Sequence, residues 1–264
     1  MNGTCEKPAV FFDNSAQSNL LLVAFGAPRP LDQEETLFDF MGVTSDIPAK
    51  RLFLGDPRQC WYHRGIPGIG DSIDSIVRHI RNICAQENIK RVVTVGSSGG
   101  GYAAILIGIL INADEVVAFS PVSKLLDRTD TIFPDTLVEL QNRIGKDNLY
   151  LDPYRLNQEV KPKTRINILY GANNRKDTRH AKYLGRLENV RLVGFPFFSH
   201  HLSYFLAKQG ELDRLLTAVL RGSNAEVDSS IQRSKWKAWA KFVPTVFGLL
   251  TNQMMKHFKR LLKS

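Results

Sequence analysis

Short apolar or β-branched runs recur along the chain at Ala9–Asp13, Asn19–Phe25, Arg51–Asp56, Arg91–Gly96, Glu115–Ser120, Arg165–Gly171 and Val190–Pro196. Runs of this length and composition read as strands. The polar stretch from Asn14 to Ser18 lets the first two pair as an antiparallel hairpin, whereas helix-length segments between the later runs imply parallel crossovers. In Ser72–Glu87 the residues Ile73, Ile76, Val77, Ile80, Ile83 and Cys84 fall at helical spacing, with Asp71 or Ser72 placed to cap. Gly100–Asn112 is apolar nearly all round, which suits a helix packed in the middle of a sheet. Apolar positions resume helical spacing from Leu202 to Arg221, and Gly222, Ser223 and Asn224 then close the pattern. The expectation is an α/β fold with a mostly parallel sheet over residues 1–222 and a C-terminal tail over 223–264. Residues 124–163 carry Pro134, Pro153 and Pro162 with weak periodicity, and read as a lid or insertion between two strands.

Composition narrows the class. At 264 residues, with 43% hydrophobic and 23% charged positions, the chain can bury its own core, and it is neither collagenous nor wholly disordered. Its longest apolar run, Ala103 to Ile111, is far short of the roughly 20 residues a spanning helix needs. The first 14 residues lack a basic region followed by an apolar stretch, so no secretory signal is expected. Cys5, Cys60 and Cys84 are too few and too scattered for a disulfide framework or a zinc site, which places the protein in the reduced cytoplasm with no metal. The net charge of +9 is concentrated: residues 229–264 carry +8 with no acidic residue, leaving +1 for everything before them.

The most informative segment runs from Arg91 through Gly96-Ser97-Ser98-Gly99-Gly100 to Ala104, a strand entering a helix through Gly-x-Ser-x-Gly. A serine on so sharp a turn sits in a strained conformation, and the turn closes only with small residues two before and two after it. In return the hydroxyl stands exposed at a helix N-terminus, where the dipole favours a developing anion. A phosphate loop would need a following lysine and a dinucleotide fingerprint a Gly-x-Gly-x-x-Gly spacing, and neither is present.

With Ser98 in that setting, the segment resembles the nucleophile elbow of the α/β-hydrolase family, over about residues 9–221 in element order. The resemblance implies a later acid and then a histidine, each on a loop after a strand. The loop after the last strand offers His200 and His201; His200 is the expected base, because His201 lies nearer the start of the helical pattern, where it would pack or cap. The spacing from His200 to Leu206, Gly210 and Leu212 also resembles some bacterial hydrolases associated with surface polysaccharides. Many family members carry their acid where Asn174 stands, so this chain departs from the pattern. Asp177 is the only carboxylate of that loop and takes the role of orienting the imidazole, with an N-cap of the next helix as its alternative. The oxyanion donors implied are the amides of Gly99 and Ala27, since Pro28 and Pro30 have no N–H. Trp61, Tyr62 and Arg64, on the loop after the third strand, either contact substrate or simply anchor that loop.

These readings imply a serine hydrolase that cleaves an ester or other acyl substrate, a carbohydrate ester among the candidates, with no cofactor. Acyl transfer to a hydroxyl, or a non-catalytic scaffold on the same fold, are the alternatives. In the tail, Trp236, Trp239, Phe242, Phe247, Leu250, Met254, Phe258 and Leu261 alternate with lysines and arginines. Residues 229–264 therefore suit an anionic membrane surface or a protein partner better than nucleic acid, with packing on the body as the competing reading.

Overall fold

The computed structural model describes residues 8–29, 37–125, 134–197 and 199–237. Seven strands form one sheet: β1 (Val10–Asp13), β2 (Leu20–Phe25), β3 (Lys50–Leu54), β4 (Arg91–Ser97), β5 (Glu115–Phe119), β6 (Arg165–Gly171) and β7 (Val190–Phe195). Their order is β1-β3-β2-β4-β5-β6-β7, parallel throughout except for β1. The expected β1–β2 hairpin does not form. β2 is hydrogen-bonded by β3 on one side and β4 on the other, so it has no free edge, and β1 instead pairs antiparallel with the outer strand β3. There Asp13 pairs with Arg51, and the Phe11 and Phe53 rings stack 6.1 Å apart.

Both faces of the sheet are covered, which is why β2, β4 and β5 read as apolar runs rather than alternating ones. Side chains still divide by the two-residue period of a strand. Leu21, Val23 and Phe25 join the core under α1 (Ile73–Gln86) and α2 (Gly99–Ile111), while Leu22 and Ala24 join the core under α6 (Leu202–Lys208) and α7 (Leu212–Leu220). Ser72 caps α1 through a capping box with Ser75, and Ile76 and Ile80 of α1 are completely buried, each stabilising the fold by about 2 kcal/mol. α2 is buried on all sides over its first eleven residues, in keeping with its sequence.

The segment between β5 and β6 holds α3 (Pro134–Ile144), a 3-10 turn at Leu149–Leu151 and α4 (Pro153–Val160). Leu137, Leu140, Leu151 and Leu156 are buried in the same core as α2, so the described part of this segment is integral to the body. After α5 (Arg175–Leu184), β7, α6 and α7, the chain turns at Gly222 and continues as a helix, α8, over residues 224–237. The turn ends a helix, yet packing continues beyond it. Val227 and Ile231 of α8 enter the core beside α7, and the buried Glu211 carboxylate pairs with Arg233 at 3.2 Å and with Lys237. Residues 229–237 thus dock on the body as the packing alternative expected, and 238–264 lie outside the described residues. No helix among the described residues is long and apolar enough to cross a membrane.

Candidate active site

Ser98 connects β4 to α2 with φ 54° and ψ −118°, a region that L-residues seldom occupy and that costs on the order of 1–3 kcal/mol. The surrounding glycines make this possible. A Cβ on Gly96 would stand 2.1 Å from the Gly100 carbonyl oxygen, and one on Gly100 would stand 2.3 Å from that of Phe25. The turn is held from both sides, as the Ser98 N–H donates to the Phe119 carbonyl at 2.9 Å and its own carbonyl accepts from Tyr102 at 3.1 Å. Gly99 begins α2, so its amide belongs to the helix turn that has no intrahelical acceptor.

The loop after β7 carries His200, whose Nδ1 lies 2.7 Å from Asp177 Oδ1. Asp177 comes from the first turn of α5 and its side chain is 2% exposed. The helix cap is a different residue: Asn174 Oδ1 accepts the amides of Lys176 at 3.0 Å and Asp177 at 3.1 Å. The structure therefore brings the carboxylate to His200 and separates it from the capping role that the sequence left open. His201 is the N-cap residue of α6, makes no side-chain cap bond, and is exposed.

Ala27 departs from expectation. Its amide, assigned to the oxyanion hole, donates instead to Asp39 Oδ2 at 2.9 Å, while Asp39 Oδ1 meets Arg29 Nη2 at 2.5 Å. Pro28 and Trp61 lie against the start of α2, where a Cβ on Gly99 would meet their side chains at 2.6 and 3.2 Å.

Trp61 is set by a buried turn. The Asp56 carboxylate accepts the Tyr62 amide at 3.0 Å, and Trp61 and Tyr62 both take positive φ. Burial raises the Asp56 carboxyl to about 6, against the lowering effect of the amides of Tyr62, Cys60, Trp61 and Arg58. The Tyr62 hydroxyl lies 2.8 Å from the carbonyls of both Gly26 and Leu54, which makes it an internal brace rather than a substrate contact. Arg64 faces Glu139 at 3.8 Å. Deeper still, His63 Nε2 meets the Tyr102 hydroxyl at 2.8 Å, and burial lowers the imidazole to about 3, so it is neutral.

A cavity of about 1320 Å³ joins these groups: Ser98, Gly99, Ala27, Trp61, Asp177 and His200 all line it. So does His201, but no described residue of the 124–163 segment reaches it beyond its neighbours Ser120 and Val122. Sequence reasoning missed Arg29, Asp39, His180 and Ser203, which also line the cavity. His180 had a readable signal, since it follows Asp177 by three positions on one helix face; its Nδ1 lies 2.9 Å from Ser123 Oγ. Ser203 had none, because its bond to Ser97 Oγ at 3.2 Å joins positions 106 apart. Among the described residues, no group of three His, Cys, Asp or Glu side chains is arranged to hold a metal.

No protein-family model matches the chain. No curated protein matches it. Solved structures do share its fold. Capsule O-acetyltransferase of Neisseria meningitidis serogroup A aligns with a TM-score of 0.60 at 16% identity, over 82% of this chain and 93% of its own. Fluorophosphonate-binding serine hydrolase F of Staphylococcus aureus aligns with a TM-score of 0.54 at 15% identity, over 82% and 87%. An α/β-hydrolase enzyme from the metagenome of sediments of the Mar Chica lagoon, Morocco, aligns with a TM-score of 0.50 at 18% identity, over 83% and 95%.

Proposed function

From the α/β-hydrolase fold as premise, we propose that this protein is a serine acyl hydrolase in which Ser98 is the nucleophile, His200 the general base and Asp177 the residue that orients it. The observation that carries the reading is the convergence of the strained Ser98 elbow and the His200–Asp177 pair on one cavity. Ser98 Oγ attacks the acyl carbon as His200 Nε2 takes its proton, and the carbonyl π pair moves onto oxygen. The Gly99 amide at the head of α2 holds that oxyanion, with Ala27 as second donor once it is released from Asp39. Collapse expels the leaving alkoxide, which takes the proton from His200, and leaves an acyl group on Ser98. Water, deprotonated by His200, then attacks the acyl carbon; collapse breaks the bond to Ser98 Oγ, which takes the proton back from His200 as the acid leaves. Asp177 keeps the His200 proton on Nδ1 and balances the imidazolium in both halves. Every step uses groups of this chain, without a metal or organic cofactor.

The fold shared with a capsule O-acetyltransferase favours a second reading for the last step, in which a sugar hydroxyl replaces water. A carbohydrate ester is the substrate class we favour. One of the two motives for the scaffold reading weakens, since Asn174 caps a helix while Asp177 faces His200; the basic tail remains. The protein works in the cytoplasm, and the basic residues after Lys237 bring it to an anionic membrane surface or a partner, without a role for nucleic acid. Incubation with 4-nitrophenyl acetate tests the chemistry. A burst of nitrophenol with an acetyl adduct on the Ser98 peptide supports it; steady inertness toward this and longer acyl esters contradicts it.

A further inference from the structure

The Asp39 carboxylate sits in the wall of the active-site cavity with one oxygen on a backbone amide and the other on a guanidinium. Ala27 N–H donates to Oδ2 at 2.9 Å, Arg29 Nη2 to Oδ1 at 2.5 Å, and Arg29 Nε approaches the Ala27 carbonyl at 3.5 Å. Ala27, Arg29 and Asp39 all line the cavity together with Ser98 and Gly99. Two donors from different parts of one short segment, each meeting one oxygen of the same carboxylate, are the arrangement by which proteins bind carboxylates and phosphates.

We propose that Ala27 N–H and Arg29 form an anion subsite of this cavity, that Asp39 fills it in the ligand-free protein, and that a carboxylate or phosphate on the substrate takes its place. Three observations favour exchange over a fixed clamp. The pair is part-exposed, with side-chain exposures of 19% for Arg29 and 27% for Asp39, and ion pairs in contact with water hold weakly. Lys208 also lines the cavity, which adds positive charge on the path of an entering anion. Among the described lining residues the other carboxylate, Asp177, is engaged by His200. Because the subsite shares its cavity with Ser98, a substrate anion held there would present its acyl group to the nucleophile. The inference rests on the proposed hydrolase only for this last consequence, and not for the binding itself.

The binding is tested on the full chain by calorimetric titration with sodium acetate and, separately, inorganic phosphate, at constant ionic strength. Asp39→Ala removes the carboxylate that meets both donors and should bind at least one of the two anions about tenfold more tightly than wild type; the tighter of the two identifies the preferred group. Asp39→Asn, which keeps an acceptor for the Ala27 amide, should show the same direction. Adding Arg29→Gln to either variant should abolish the gain. Equal affinity in wild type and both Asp39 variants, or a gain that survives Arg29→Gln, overturns the proposal. Because this readout needs no turnover, it stands apart from the hydrolase test. Where turnover is present, Arg29→Gln should lower the kcat/KM ratio of an acidic to a neutral acyl ester about tenfold, and an unchanged ratio overturns the role in substrate choice.

Discussion

Asn174 Oδ1 accepts the backbone amide of Asp177 at 3.1 Å, and by capping α5 it leaves the Asp177 carboxylate to face His200 Nδ1 at 2.7 Å. The two residues exchange the roles that position in the loop alone would give them. Asp177→Asn should therefore lower kcat on the order of 10⁴-fold, because an amide cannot hold the imidazole in the tautomer that receives the Ser98 proton. Asn174→Ala should cost about 1 kcal/mol of stability and change kcat far less. Thermal unfolding and ester kinetics on the pair separate the roles, and comparable kcat losses would contradict them.

The two histidines differ in the same way. His200→Ala should lower kcat by on the order of 10⁴ to 10⁶, as removal of a nucleophile's base does, whereas His201→Ala should cost much less because no carboxylate faces that ring among the described residues. The reverse ranking would move the base to His201.

Two buried groups behind the site predict an unusual pH profile of stability. Asp56 is raised to about 6 when folded, so in the window from about 4 to about 6 the native state holds a proton the unfolded chain has released, and stability falls as pH rises. His63 is lowered to about 3, so below about 6.5 the unfolded chain takes up a proton the native state refuses, and stability falls as pH drops. The slopes oppose each other between pH 4 and 6. Wild type should be nearly flat there as far as these groups contribute. Asp56→Asn should unmask a loss on acidification, and His63→Gln a loss on alkalinisation, each on the order of a few kcal/mol across the window. Denaturant unfolding at stepped pH reads both, and parallel profiles for all three proteins would contradict the assignment.

Gly100→Ala should be among the most damaging single-methyl changes, since its Cβ would lie 2.3 Å from the Phe25 carbonyl oxygen in a site with no slack. A loss of roughly 1–3 kcal/mol is expected together with loss of Ser98 reactivity. A variant with wild-type melting and labelling would show that the elbow tolerates a side chain there.

For the tail, the position of the cut decides the outcome. Ending the chain at Gly222 strips Arg233 and Lys237 from the buried Glu211 and uncovers the seat of Val227 and Ile231, so it should destabilise the body by about 3–5 kcal/mol. Ending it after Lys237 keeps those contacts and removes Lys241, Lys256, Lys259, Arg260 and Lys263. If the tail is an interfacial anchor, that shorter deletion should abolish salt-sensitive sedimentation with anionic vesicles. Undiminished sedimentation would end the anchor reading.

How far these features were legible depends on the range of the interactions behind them. The strands, α1 and α2 follow from local periodicity, and the elbow follows from Gly96, Ser98 and Gly100 because its sterics involve neighbours in the chain. The His200–Asp177 pair was legible through element order. The partner of β1 was not, because nothing local to Val10–Asp13 records that both edges of β2 are already taken. Nor was the bond from Ala27 to Asp39, since a carboxylate twelve residues away competes for an amide that spacing alone assigns to the substrate. Cap and acid were hard to tell apart at Asn174 and Asp177, as both residue types suit both positions and only the direction of each side chain decides.

The central claim is that Ser98 is a nucleophile activated by its setting, and a fluorophosphonate probe reads this without knowledge of the substrate. Wild-type protein should be labelled covalently, with the adduct on the peptide that contains Ser98, and Ser98→Ala should remain unlabelled while unfolding at close to the wild-type temperature. Labelling that persists in folded Ser98→Ala, or wild-type protein that stays unlabelled under conditions where a known serine hydrolase reacts, would contradict the account.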